Sequence, residues 1–173
     1  RTMSKAGRIL SVSPSYAIPG AEILIKCENF EVNLERDYGC FFDGQRARLV
    51  GASSNRVLAI VPEGFDTSNV EIYLESGGER SEPARITVGR KLADDLHIVA
   101  NPAVDPNDGS IVLTRSGSRG QQLPVTLFRL EPDGYLQEMS AEVLNPTGVA
   151  FDASGQLFVT NRADGEVYRI NRD

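Results

Sequence analysis

Across 173 residues there is one histidine, there are two cysteines and there is no tryptophan. So few soft side chains leave little with which to hold a transition metal. A nucleophile–histidine pair needs a third, orienting group, and nothing near His97 in sequence supplies one, so His97 reads as a strand or linker residue. Cations are short as well: 18 basic groups against 24 acidic ones leave a net charge of −6. That sign disfavours nucleic acid or an anionic lipid surface as a bulk partner, and Arg46, Arg48 and Arg56 are too few to form a basic face. No apolar run approaches the ~18 residues of a membrane-spanning helix, so no membrane insertion is expected. Helical periodicity is nearly missing too, and no G-x-S-x-G, P-loop, H-E-x-x-H or C-x-x-C motif occurs.

What fills the chain instead is a series of short apolar runs cut by turn residues about every 8 to 12 positions, the pattern of an all-β protein. In the first half strands are expected over 8–12, 22–27, 40–42, 47–51, 57–61, 70–74 and 85–88. Between them stand Pro14, Pro19-Gly20, Asp43-Gly44, Pro62, Gly77-Gly78 and Pro83. Period-2 alternation puts Ile23, Ile25 and Cys27 on one face of a strand, with Leu24 and Lys26 on the other. Seven short strands fit a two-sheet sandwich. Cys27 and Cys40 then share an inward face. They are either a disulfide across the core or two buried thiols serving as small apolar fillers; a bridge would point to an oxidising compartment.

The texture changes after Gly89-Arg90-Lys91. Residues 1–90 carry 11 basic and 12 acidic groups, whereas 91–173 carry 7 and 12. We therefore expect two domains, 1–90 and 91–173. The second contains an internal repeat. Asp105-Pro-Asn-Asp-Gly-Ser-Ile-Val-Leu-Thr114 parallels Asp152-Ala-Ser-Gly-Gln-Leu-Phe-Val-Thr160, and Leu127-Phe-Arg-Leu130 parallels Val167-Tyr-Arg-Ile170. Asp105 and Asp152 lie 47 apart, Leu130 and Ile170 only 40, and the difference is about the length of an insert at 117–124 in the first copy. A period of 40 to 50 with several strands per unit suggests propeller blades. Two blades cannot close a ring, so the expectation is either the start of a longer propeller or another cover for the open blades.

Two stretches resemble known families. Ile9-Leu-Ser-Val-Ser-Pro14, Pro19-Gly20 running into Glu22–Phe30, Cys40-Phe-Phe-Asp-Gly44 and Arg56–Pro62 are similar to the IPT/TIG group of immunoglobulin-like domains, with Cys27 where that family usually has Gly. Asn145-Pro-Thr-Gly-Val-Ala-Phe-Asp152 through Asn161, followed by Asp164-Gly-Glu-Val-Tyr-Arg-Ile170, resembles an NHL-type repeat and the blades of gluconolactonase-like propellers. The fold class implied is all-β: an immunoglobulin-like β-sandwich plus a partial propeller of about two blades.

Gluconolactonase-like propellers hold an axial divalent metal. The matching positions here are Thr147, a poor donor, and Asn161, where an Asp is usual. No metal, cofactor or catalytic residue is therefore expected. Asp105–Gly109 departs from an EF-hand loop, because its Gly comes one position early and position 12 is Ser116. It reads as a β-turn, like Asp133-Gly134, Asp152–Gly155 and Asp164-Gly165. The pairing of domains implies a bacterial cell-surface or secreted protein, extracellular or periplasmic. Its expected role is non-catalytic binding or assembly, with a protein or polysaccharide ligand. Two alternatives stay open: self-association through unpaired sheet edges, and a propeller lactone hydrolase with its catalytic residues elsewhere.

Overall fold

A computed structural model of the chain describes residues 4–96, 99–118, 120–139 and 142–171. The described residues are all-β, with no helix, and none of the sheets closes into a barrel. The chain divides into two compact units, Arg1–Lys91 and Leu92–Asp173.

Unit 1 is an immunoglobulin-like sandwich. One sheet runs β1(Arg8–Ser13), β3(Glu22–Glu28), β7(Arg56–Ile60), β6(Arg48–Ala52). The other runs β2(Tyr16–Ala17), β10(Ala84–Val88), β8(Asn69–Ser76), β4(Tyr38–Phe42), β5(Gln45–Arg46), with β9(Glu79–Arg80) also on β8. The alternation in β3 works as expected: Ile23, Ile25 and Cys27 are buried, while Lys26 faces solvent. They pack in one core with Val57 and Ala59 of β7, Val70, Ile72 and Leu74 of β8, Cys40 and Phe42 of β4, and Ile86 and Val88 of β10. Phe30 closes the core edge-on to Tyr38, with ring centroids 6.0 Å apart.

The strand expected at 47–51 is shifted, and the turn chemistry says why. Asp43 and Gly44 both take positive φ, 45° and 82°, so Gln45-Arg46 folds straight back onto β4 as a separate two-residue strand. Ala47 donates its N–H to the Cys40 carbonyl at 2.8 Å. Only from Arg48 does the chain join the other sheet. Two further two-residue strands, β2 and β9, have too little sequence for alternation to register.

Unit 2 consists of two antiparallel sheets. The first orders β11(Val99–Val104), β12(Ile111–Arg115), β13(Leu127–Leu130), β14(Leu136–Glu138); the second orders β15(Pro146–Phe151), β16(Leu157–Asn161), β17(Glu166–Ile170). The repeat is visible in the pairing. Val104 pairs with Ile111 and Ile111 with Leu130, as Phe151 pairs with Leu157 and Leu157 with Ile170. The sheets stack like neighbouring propeller blades, with β15 packed on β11 and β12. Val112 and Leu127 of one sheet meet Leu157 and Val159 of the other, with Val143 between elements. Polar contacts fasten the seam: the Ser116 hydroxyl donates to the Pro146 carbonyl at 3.2 Å and the Asn107 amide to the Ser154 carbonyl at 3.3 Å.

Candidate functional site

In unit 2 the insert that breaks the repeat has a structural consequence. Of this insert, residues 117, 118 and 120–124 lie between the end of β12 and the start of β13. The loop is held by its own backbone. Gln121 donates its N–H to the Ser118 carbonyl at 2.8 Å, and its side-chain oxygen accepts the Ser118 N–H at 3.2 Å. A Cβ at Gly117 would stand 2.9 Å from the Gln121 carbonyl oxygen, so the tight approach of the two arms requires glycine there.

This loop forms one wall of a cleft of about 750 Å³, lined by Ser118, Gln121 and Gln122 on that side. Leu144, Asn145, Thr147 and Arg162 line the other. The far wall is set by Asn161, the last residue of β16. Asn161 is buried, its oxygen accepts the N–H groups of Asn145 and Ala163 at 3.2 and 3.1 Å, and its amide donates to Asp164 at 2.6 Å. The Arg162 N–H in turn donates to the Asn145 carbonyl at 3.0 Å. These bonds hold the backbone at 145 and 162, while the side-chain amides of Asn145 and Gln122 and the Arg162 guanidinium make no hydrogen bond or ion pair among the described residues. Leu144, 54% exposed, adds an apolar contact beside them. A concave site with a few unspent polar groups on a fixed backbone is what a small-molecule or sugar-sized ligand requires.

The sequence-predicted residues fall elsewhere or do other work. Thr147 shares a hydrogen bond with the Thr160 hydroxyl at 3.1 Å, and both side-chain polar atoms of Asn161 are taken, the oxygen by the N–H groups of Asn145 and Ala163 and the amide by Asp164. Among the described residues, no three His, Cys, Asp or Glu side chains converge as a cation site. His97 lies outside the described residues. Cys27 and Cys40 are both buried free thiols, and the Cys27 thiol faces the Ser54 carbonyl at 3.8 Å. Burial raises the Cys27 pKa; burial, with Cys27 nearby as a second cause, pushes the Cys40 thiol up to about 12. Neither is a nucleophile near neutral pH. Arg46 is tied to Asp37 at 2.8 Å, a bond that holds the Asp37 carboxyl below its ordinary range, while Arg85 pairs with Glu71 at 3.6 Å.

No family model and no curated protein matches the chain. Solved structures do.

An auxiliary nutrient binding protein from Bacteroides thetaiotaomicron is 13% identical, with 95% of this chain and 58% of that one covered and a TM-score of 0.40. Its counterpart from Bacteroides ovatus is 14% identical over 99% and 50%, TM-score 0.38. A protein provisionally named gluconolactonase is 25% identical over 61% of this chain and 39% of its own, TM-score 0.40. The chain spans about half the length of the first of these structures. Scores of this size do not establish a common fold, and nothing about the ligand of this chain follows from them.

Sequence reasoning missed the cleft because its walls come from loops more than twenty residues apart. The one signal for it in the sequence is the insert at 117–124, where the first copy of the repeat departs from the second. It also missed that Asp105 belongs to a buried ion pair. The Arg129 guanidinium meets that carboxylate at 3.1 Å and the Ser110 hydroxyl at 2.5 Å, with the Asp105 side chain fully buried.

Proposed function

We propose that this chain is a non-catalytic binding module of a cell-surface or secreted protein, and that it takes a polysaccharide segment in the cleft of unit 2. In this reading unit 1 is the IPT/TIG-type sandwich, serving as a rigid spacer, and unit 2 supplies NHL-type blades. The observation that carries the proposal is the insert at 117–124. In repeat folds, extra residues in one copy collect on the face used for recognition. Here they build the wall opposite Asn145 and Arg162, whose side-chain polar groups make no hydrogen bond or ion pair among the described residues. Amide and guanidinium groups on fixed backbone suit a polyhydroxylated ligand, since each unspent donor can bond a hydroxyl without first breaking an internal bond.

The test is titration calorimetry of the chain against a panel of neutral and acidic bacterial and plant oligosaccharides, repeated for Asn145→Ala and Gln122→Ala. Binding weakened on the order of tenfold by either change, about 1.4 kcal/mol, supports the cleft. A chain that binds no saccharide, or binds one unaffected by both substitutions, sinks the proposal.

A further inference from the structure

Residues 91–173 carry 12 acidic groups against 7 basic ones, yet no acid stands among the described residues that line the cleft of unit 2. The one charged side chain in that lining is Arg162, which follows the last residue of β16. The two acids that come next on the chain are engaged elsewhere. Asp164 accepts the Asn161 amide at 2.6 Å, and Glu166 accepts the Tyr168 hydroxyl. The turn that draws Asp164 away is closed by its own backbone, with Gly165 donating its N–H to the Asn161 carbonyl at 3.0 Å. Arg162 therefore stands in a concave site with no carboxylate to neutralise it, in a molecule whose net charge is −6.

The polar groups around it divide in the same way. The Ser116 hydroxyl is bound to the Pro146 carbonyl and the Thr147 hydroxyl to that of Thr160. The Ser118 hydroxyl and the amides of Gln122 and Asn145 make no hydrogen bond among the described residues, and each can donate. A guanidinium only donates, and its planar fork matches the two oxygens of a carboxylate. A neutral glycan laid over Arg162 would strip water from a charge and return none of opposite sign, which is costly. A carboxylate brings the counter-charge with it. Leu144 on the same wall offers an apolar contact to the C–H face of the sugar ring that carries the acid. We infer that the cleft selects an acidic saccharide, one built of uronic acid residues, and that Arg162 is the side chain that reads the carboxylate. This rests on the cleft being the saccharide site.

Calorimetry of the intact chain tests it, with oligomers of galacturonate, glucuronate and mannuronate, each beside its methyl ester, which keeps the hydroxyls and removes the charge. At least one acid is expected to bind on the order of tenfold tighter than its ester, with the preference shrinking as salt is raised. Arg162→Gln brings that ratio close to one, and Arg162→Lys keeps only part of it, because a point charge lacks the fork. Arg169→Gln, at an exposed position of β17, removes the same unit of charge and leaves the ratio unchanged. An acid and its ester bound equally, both weakened by Asn145→Ala, overturn the inference while the cleft stands as a site for neutral glycans. A preference that survives Arg162→Gln overturns it too, as does one that Arg169→Gln removes to the same extent, since net charge and not a site would then set it. Failure to bind any saccharide, acidic or neutral, brings down the cleft reading and this inference together.

Discussion

Asp105 carries two duties on one carboxylate. One oxygen accepts the Asn107 N–H at 2.9 Å and so shapes the turn between β11 and β12; the other meets Arg129 on β13 at 3.1 Å. The turn role was legible, because Asp-Pro-Asn-Asp-Gly is turn chemistry wherever it occurs. The ion pair was not, since it depends on the register that brings a residue 24 positions away beneath the turn. Its energetics are asymmetric. Exchanging both members for well-packed apolar groups can be nearly neutral, but removing one strands a buried charge. Arg129→Met alone is therefore expected to destabilise unit 2 by about 3 kcal/mol, while Arg129→Met with Asp105→Leu recovers much of that loss. Urea unfolding of the single and double variants decides it: additive losses would mean that the pair is not coupled.

At the scale of elements, long strands were readable and short ones were not. β3 and β8 alternate over seven and eight residues and were found; β2, β5 and β9 hold two residues each and exist only because a neighbour supplies their hydrogen bonds. β14 was missed for a related reason. Leu136–Glu138 is three residues long, with only its leucine partly buried. The facing of β3 and β4 has a measurable consequence. With the Cys40 thiol near 12 in the folded chain against an ordinary value of 9.0, the folded state keeps a proton that the unfolded state releases. Stability from this group is complete below about pH 9 and is lost as pH rises toward about 12. The same sign holds for Cys27. Cys40→Ala should flatten the alkaline fall of sandwich stability relative to the unmutated chain, measured as the difference between the two in chemical unfolding from pH 8 upward. Parallel curves would show that the Cys40 thiol does not titrate differently on folding.

For the molecule as a whole, the sequence announced an all-β chain with a change of texture near residue 90, and the described residues are all-β with two separate cores. What it could not announce was the difference between those cores. Among the described residues, the sandwich core gathers fifteen buried apolar residues and the blade core five. Burial on the order of 25 cal/mol per Å² of apolar surface makes that disparity large against net stabilities of only about 5 to 15 kcal/mol. The outer strand of the second sheet, β17, is exposed at four of its five positions and adds little. Unfolding should therefore proceed in two steps, with unit 2 opening first. The two cysteines make this measurable, because both lie in the sandwich core and none lies in unit 2. Thiol labelling along a denaturant series reports the sandwich alone, while hydrogen exchange at Val112, Leu127 and Val159 reports the blades. Amide protection at those three positions is expected to disappear at a denaturant concentration where Cys27 and Cys40 still resist alkylation. Coincident transitions would mean that the smaller core borrows its stability from the larger, and that the chain unfolds as one cooperative body.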